Sequence, residues 1–344
     1  MSSNQTRKEI VAEAIEFKNP PRLPYWQNFF DHIPSDVCEC WEMDRQKAGW
    51  FFNPDDWPGK AREALDDWGC TWARTDVENM GQVTGHPLAD WSKLNSYKPP
   101  NPRDPWYFER LEKEMAEADD KYVVVTSHFN FIERLEMLHG FSNTMEDLLL
   151  EPEKVEKVLD MILEWKIEHL RELDRRFNGR VDGIFSTDDW GTQAAPYVRG
   201  DLFEELFLER YRTLVEEIHS HGWHFILHSC GKINDLLPYF IDAGVDMMNM
   251  GQPQTYGIEE LGKRFAGKIA FLATSDIQKT LPTGNKENIS EEVGQLVKNW
   301  STPEGGMVVF NYGMGGVIGV SDDITRFMFD EFNKYTYYWQ NQGE

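Results

Sequence analysis

The sequence predicts a single (β/α)8 barrel, a TIM barrel of the α/β class, with an elaborated N-terminal loop and helix region. Three observations predict it. The chain has 344 residues, a length that barrels of this kind commonly occupy as one unit. From Tyr122 onward, six strand-like apolar runs alternate with helix-like segments, and such alternation implies parallel pairing with helices outside. Two weaker strand candidates upstream bring the total to about eight. The alternative, an open doubly wound sheet, lacks support because no Gly-x-Gly-x-x-Gly fingerprint follows the early strands. One domain over residues 1–344 is expected, with the elaboration covering about 1–120.

The weaker strands are "PYWQNFF" (Pro24–Phe30) and "CTWARTDV" (Cys70–Val77). The stretch from Asn53 to Trp106 is rich in Pro and Trp and poor in periodicity, and reads as long ordered loops over one barrel end. "YVVVTS" (Tyr122–Ser127) is a β-branched strand. In Glu151–Phe177, Val155, Val158, Leu159, Ile162, Leu163 and Leu170 recur at three- and four-residue spacing and mark one buried helix face. "VDGIFSTDDWG" (Val181–Gly191) is a strand and turn, and Asp201–Gly222 is a helix stopped by its final glycine. "HFILHSCG" (His224–Gly231) is a strand and "INDLLPYFIDAG" (Ile233–Gly244) a short helix. The strands "VDMMNMG" (Val245–Gly251), "KIAFLATSD" (Lys268–Asp276) and "GMVVFNYG" (Gly306–Gly313) then alternate with helices at Ile258–Gly267, Ile289–Trp300 and Asp322–Trp339.

Composition narrows the function classes. Forty per cent hydrophobic residues suffice for a large core. The formal net charge of −24 would repel nucleic acid and anionic membrane, so neither is expected as a partner. The N-terminal residues lack the apolar core of a signal peptide, and no apolar run approaches the roughly 18 residues of a membrane span. A cytoplasmic protein with reduced thiols is expected at Cys38, Cys40, Cys70 and Cys230. "CEC" (Cys38–Cys40) lacks the second pair of a structural zinc site.

In a TIM barrel, function sits where strands end and loops begin. That rule selects Asp188, Asp189, Trp190 and Gln193 after one strand, and His228 and Cys230 after the next. Gln252, then Ser275, Asp276 and Gln278, then Asn311 and Tyr312 follow later strands. His228 and Cys230 are two apart, so on a strand they point to one face. Together they either hold two of four positions around Zn²⁺ or form a buried histidine beside an inert thiol. Asp188, Asp189 and Asp276 are candidates for acid–base work or a ligand, against a plain helix-capping role. Trp190, Gln193, Gln252, Asn311 and Tyr312 are candidates for contacting substrate. "GMGGVIG" (Gly313–Gly319) lacks the Lys and Ser/Thr of a phosphate loop.

Several segments occur here in the order they have in a known superfamily: "GQVTGHPLADWSKLNSYKPPNP", "DGIFSTDDWGTQAAPYV", "FILHSCGKINDLLPYFIDAGVDMMN", "ATSDIQKTLPTG" and "GGMVVFNYG". Over about Ile10 to Tyr335 the chain resembles the uroporphyrinogen decarboxylase-like superfamily, and looks like its corrinoid-dependent methyltransferase branch, which includes O-demethylase components. The resemblance implies a TIM barrel. The true decarboxylase's N-terminal Arg-Gln-Ala-Gly-Arg motif is missing from the matching region "PPRLPYWQNFFDHIPSD". The branch uses zinc held by His-x-Cys and a later Cys near the last strand, which implies that His228 and Cys230 are zinc ligands. The region expected to hold the third ligand, "FNYGMGGVIG", has no Cys or His. A carboxylate, from Asp188, Asp189 or Asp276, then completes the site, or the site is lost. The implied function is transfer of a methyl group from a small donor, at best a methyl aryl ether, to a corrinoid carried by a partner protein, with zinc as Lewis acid. The alternatives are a decarboxylase or lyase acting on a small carboxylic acid, and a non-catalytic ligand-binding barrel.

Overall fold

The structure is a computed structural model that describes residues 5–27, 32–42, 63–73, 81–127, 129–312 and 318–340. Most of the glycine-rich segment Gly313–Gly319 and parts of the Pro- and Trp-rich stretch lie outside the described residues.

Eight parallel strands form the barrel. In chain order the strands are β1 (Tyr25–Trp26), β2 (Val37–Trp41), β3 (Glu63–Leu65), β4 (Thr71–Ala73), β5 (Gln82–Gly85), β6 (Tyr122–Thr126), β7 (Gly183–Thr187), β8 (His224–His228), β9 (Met247–Met250), β10 (Ala270–Ala273) and β11 (Met307–Phe310). The barrel order is β1-β11-β10-β9-β8-β7-β6-β2. The seam between β1 and β2 is closed through Asp36: its N–H donates to Tyr25 O (2.7 Å) and its carboxylate accepts from Tyr25 N–H (2.8 Å) and Arg22.

The helices are α1 (Arg7–Ile15), α2 (Leu111–Met115), α3 (Phe131–His139), α4 (Phe141–Leu150), α5 (Pro152–Phe177), α6 (Gly200–Phe203), α7 (Glu209–Ser220), α8 (Leu237–Asp242), α9 (Pro253–Tyr256), α10 (Ile258–Phe265), α11 (Lys286–Trp300) and α12 (Asp322–Lys334). In α5, proline opens the first turn, Arg175 and Arg176 close the last, and the predicted stripe from Val155 to Leu170 is buried apart from the partly buried Leu163. No helix of the described residues is long and apolar enough to cross a membrane.

The eighth barrel strand differs from the expected one. "CTWARTDV" contributes β4, the centre of a small antiparallel sheet β3-β4-β5, while "VCECW" takes the barrel place as β2. The reason is that β2 carries a carboxylate, Glu39, on the same face as Val37, which packs inside the barrel. A buried parallel strand normally reads as an apolar run, and Glu39 breaks that pattern. The small sheet and its loops pack on α3 and α5: Trp68 meets Trp165 (centroids 5.2 Å apart) and Trp91 stacks on His139 (3.7 Å).

The barrel interior is filled at its lower end. Val37, Tyr122, Val124, Phe185, Ile226, Met247, Ala270, Leu272 and Val308 project inward, and Val11, Ala14 and Ile15 of α1 pack beneath them. The α1 helix begins with a capping box between Thr6 and Glu9 and is tied to the barrel where Gly306 N–H donates to Ala14 O (2.7 Å). With that end closed, the opposite mouth, at the carboxyl ends of the strands, is the place for a site.

Candidate metal centre

Strand parity places the first ligand. Ile226 faces the interior, so His228, two residues on, faces it one level higher, at the mouth. Its Nδ1–H donates to Asn249 Oδ1 (2.6 Å). The Asn249 amide is fixed by its own N–H, which donates to Leu272 O (3.1 Å). The imidazole is thereby held with the Nε2 lone pair free toward Cys230 Sγ (3.3 Å) and Asp189 Oδ1 (3.6 Å). A histidine that donates one ring N–H to a fixed acceptor and presents the other nitrogen is the usual arrangement at metal sites.

Two loops bring Asp189 to this pair. Strands β7 and β8 run in register with Thr187 opposite His228, so the chain leaves both strands at the same height. The loops then cross backbone on backbone. Gly231 has φ +80°, and a Cβ there would lie 2.0 Å from Gly191 O. Only glycine fits at 231, and the close crossing lets Cys230 N–H donate to Asp189 Oδ1 (2.6 Å). Gln252 braces the turn by accepting from Gly231 N–H (3.3 Å) and from Gln193 Nε2 (3.1 Å).

Among the described residues, Asp189, His228 and Cys230 form the group able to hold a metal ion, with their ligand atoms all within 4.8 Å of one another. A tetrahedral zinc ion sets its nitrogen, oxygen and sulfur ligands about 3.4–3.7 Å apart. The His228–Asp189 distance of 3.6 Å falls on that scale, and the His228–Cys230 distance of 3.3 Å lies just below it. The donor set of one nitrogen, one sulfur and one carboxylate oxygen fits zinc.

Charge around the centre points the same way. Burial and the neighbouring Asp189 and Glu133 carboxylates push the Cys230 thiol well up. Burial, with Asp189 and Asp188, pushes Glu133 well up and Glu136 to about 8. Burial raises Asp188 to about 6 despite the donors it accepts, and burial likewise raises the Tyr312 hydroxyl. Acidic groups converge here, and a bound divalent ion would favour the charged form of those that face it.

The other sequence candidates occupy distinct places. Asp188 is fully buried and faces outward from β7. It accepts from the N–H groups of Phe131, Ile132 and Glu133, capping α3, and from the Tyr211 hydroxyl. Trp190 also points outward: it is fully buried, its Nε1–H donates to Tyr211 Oη (3.1 Å), and it packs edge-on against Phe203 and Phe207. Asp276 is buried and accepts from the N–H groups of Gln254, Gln278 and Lys279, holding the turn after β10. Gln193 is exposed and Gln252 buried; they bond to each other beside the Cys230 turn. Tyr312 lies with its ring 6.1 Å from that of His228, and Asn311 N–H donates to Trp26 O (3.2 Å).

Two residues outside the sequence candidates join the mouth. Glu133, on α3, accepts from Thr187 Oγ1 (2.7 Å), and Glu136 is one turn on. Their three-residue spacing marks one helix face, and Phe131, Ile132, Leu135 and Leu138 mark the apolar one, but neither spacing tells that the acidic face meets the mouth.

The fold and site together define a (β/α)8-barrel protein with a metal-competent centre at its carboxyl-end mouth. A model of the uroporphyrinogen decarboxylase (URO-D) family matches residues 73–335, and the chain belongs to that family of enzymes. Among solved structures, a methyltransferase from Methanosarcina mazei superposes with a TM-score of 0.66 at 14% identity, covering 96% of this chain and 99% of that one. A D-psicose 3-epimerase from Clostridium cellulolyticum H10 gives a TM-score of 0.38 at 13% identity over 72% of this chain and 86% of that one. No curated protein sequence matches the chain.

Proposed function

We propose that the protein is a zinc-dependent methyltransferase that moves a methyl group from a small donor, a methyl aryl ether, to the reduced corrinoid of a cytoplasmic partner protein. The observation that carries this reading is the convergence of Asp189, His228 and Cys230 at the barrel mouth. The likeness to a methyltransferase over nearly the full length of both chains supports the fold the reading needs.

In this reading Asp189, His228 and Cys230 would hold the zinc, which when bound would supply Lewis acidity at the mouth. Asn249 keeps the imidazole in the tautomer that presents Nε2. The Gly191–Gly231 crossing and Gln252 fix the position of Cys230. Asp188 acts at one remove: by capping α3 it sets the position of Glu133, which faces the mouth through Thr187. Tyr312 and Phe310 form an aromatic wall against which the donor ring lies. Asp276 orders the turn after β10, and Gln193 and Asn311 border the opening. The acidic mouth disfavours the multiply carboxylated substrate that a tetrapyrrole decarboxylase takes.

The test is methyl transfer from methyl aryl ethers to a cob(I)alamin acceptor, followed by the visible spectrum of methylcobalamin. Activity that disappears on chelation and returns with zinc supports the proposal. Undiminished activity in metal-free protein, or carbon dioxide release without any corrinoid, contradicts it.

A further inference from the structure

The interior face of β2 carries one carboxylate that the metal centre does not use. Glu39 sits above Val37 in the lumen, beside Val124 across the β2–β6 register. Val37 and Val124 are buried, whereas Glu39 is half-buried, so it borders the open part of the lumen. Its two oxygens are held apart by two donors: Trp26 Nε1–H to Oε2 (3.3 Å) and Thr126 Oγ1–H to Oε1 (3.1 Å). A carboxylate has about four acceptor positions, so each oxygen keeps one free. Among the described residues no lysine or arginine pairs with it, and the neighbouring charge that acts on it is another acid, Glu114.

A chain of aromatic contacts runs from Glu39 toward the metal centre. Trp26 meets Phe185 and Phe310 edge-on (5.6 and 5.4 Å), Phe310 meets Tyr312 (6.3 Å), and Tyr312 meets His228 (6.1 Å). Around the barrel, β2 stands three places from β8. A TIM barrel takes its ligand above the packed interior layers, at the carboxyl-end mouth. A ring held at the mouth with its ether oxygen toward His228 presents its far edge to the β2 side, where Glu39 stands.

We infer that Glu39 is a specificity-determining residue that reads that far edge, selecting methyl aryl ethers with a hydrogen-bond donor there, such as a hydroxyl, and rejecting those with a carboxylate. This rests on the aryl ether reading above. A fixed acceptor with free lone pairs gains a charge-assisted bond from a hydroxyl. Against a carboxylate it sets like charge on like charge in a partly desolvated space.

The test is calorimetric titration of the full-length, zinc-supplied protein at pH 8 with two ligands, 4-methoxyphenol and 4-methoxybenzoate. The wild type is expected to bind the phenol at least about tenfold more tightly. Glu39→Gln keeps the shape and removes the charge, and is expected to narrow the preference to about threefold or less by tightening the benzoate. Thr126→Val keeps the charge and is expected to keep the rejection of the benzoate, which separates the charge from general loosening of the wall. An unchanged ratio in Glu39→Gln, or a wild-type preference for the benzoate, overturns the inference alone. If neither ether binds while zinc does, the aryl ether donor and the role of Glu39 fall together and the metal centre stands.

Discussion

The two ends of the barrel lumen are built from the same strands by opposite rules. The lower end is apolar and closed: inward side chains of β2, β6, β7, β8, β9, β10 and β11 meet α1, and Ile226 is fully buried among them. One level up on the same strand faces, histidine, asparagine and glutamate replace isoleucine, methionine and valine, at His228, Asn249 and Glu39. The lower end contributes stability, and the mouth gathers acidic groups around a three-donor cluster. A side chain's height along its strand therefore decides its role, and substitutions on one face of β8 can separate the two.

The largest separation is expected from His228→Ala. Metal content measured by mass spectrometry should fall from about one zinc per chain to near zero, while the far-ultraviolet circular dichroism stays unchanged. Its counterpart two residues lower, Ile226→Ala, should do the reverse. It should lower unfolding stability by about 3 kcal/mol in denaturant titrations and leave zinc stoichiometry intact. A variant that lost both would show that the two ends are not independent.

Asn249→Ala probes the boundary between them. It removes the acceptor that orients His228 without touching a ligand atom. Zinc affinity, measured by competition with a chelator, should weaken about 10–100-fold. The smallest effect concerns Glu39, whose carboxyl is pushed up to about 7 by burial, with Glu114 nearby. A group whose folded pKa lies above its unfolded value binds extra protons in the folded state between the two. Stability then falls as pH rises from 4.5 to about 7. Glu39→Gln should therefore be more stable than wild type above pH 7, by about 1–2 kcal/mol, with the gap closing below pH 4.5. Thermal unfolding across that range checks it.

The same contrast explains what the sequence revealed. Strands buried on both faces read as apolar runs, so β6 to β11 and the barrel were legible. The lower lumen required nothing else. Strand β2 was hidden because its inward face carries Glu39, which belongs to the mouth. His228 and Cys230 were legible as a pair because spacing on one strand fixes their common direction. That Asp189 joins them depends on two loops crossing at Gly191 and Gly231, a contact between segments about 40 residues apart that no local pattern encodes. Asp188 and Trp190 flank Asp189 in sequence, yet the same parity that turns Asp189 inward turns them outward, into the α3 cap and the Phe203–Phe207 cluster. Glu133 and Glu136 arrive on a helix whose position is set by that cap, so they too followed from tertiary structure alone.

The central claim is that a carboxylate, Asp189, completes a zinc site begun by His228 and Cys230. X-ray absorption at the zinc edge, on zinc-loaded wild type and Asp189→Ala, tests it most directly. A site completed by Asp189 gives one sulfur at about 2.3 Å with nitrogen and oxygen neighbours at about 2.0–2.2 Å, and an altered oxygen shell with weakened zinc retention in Asp189→Ala. Two or more sulfur neighbours in the wild type, or a zinc shell identical in the two proteins, would contradict it.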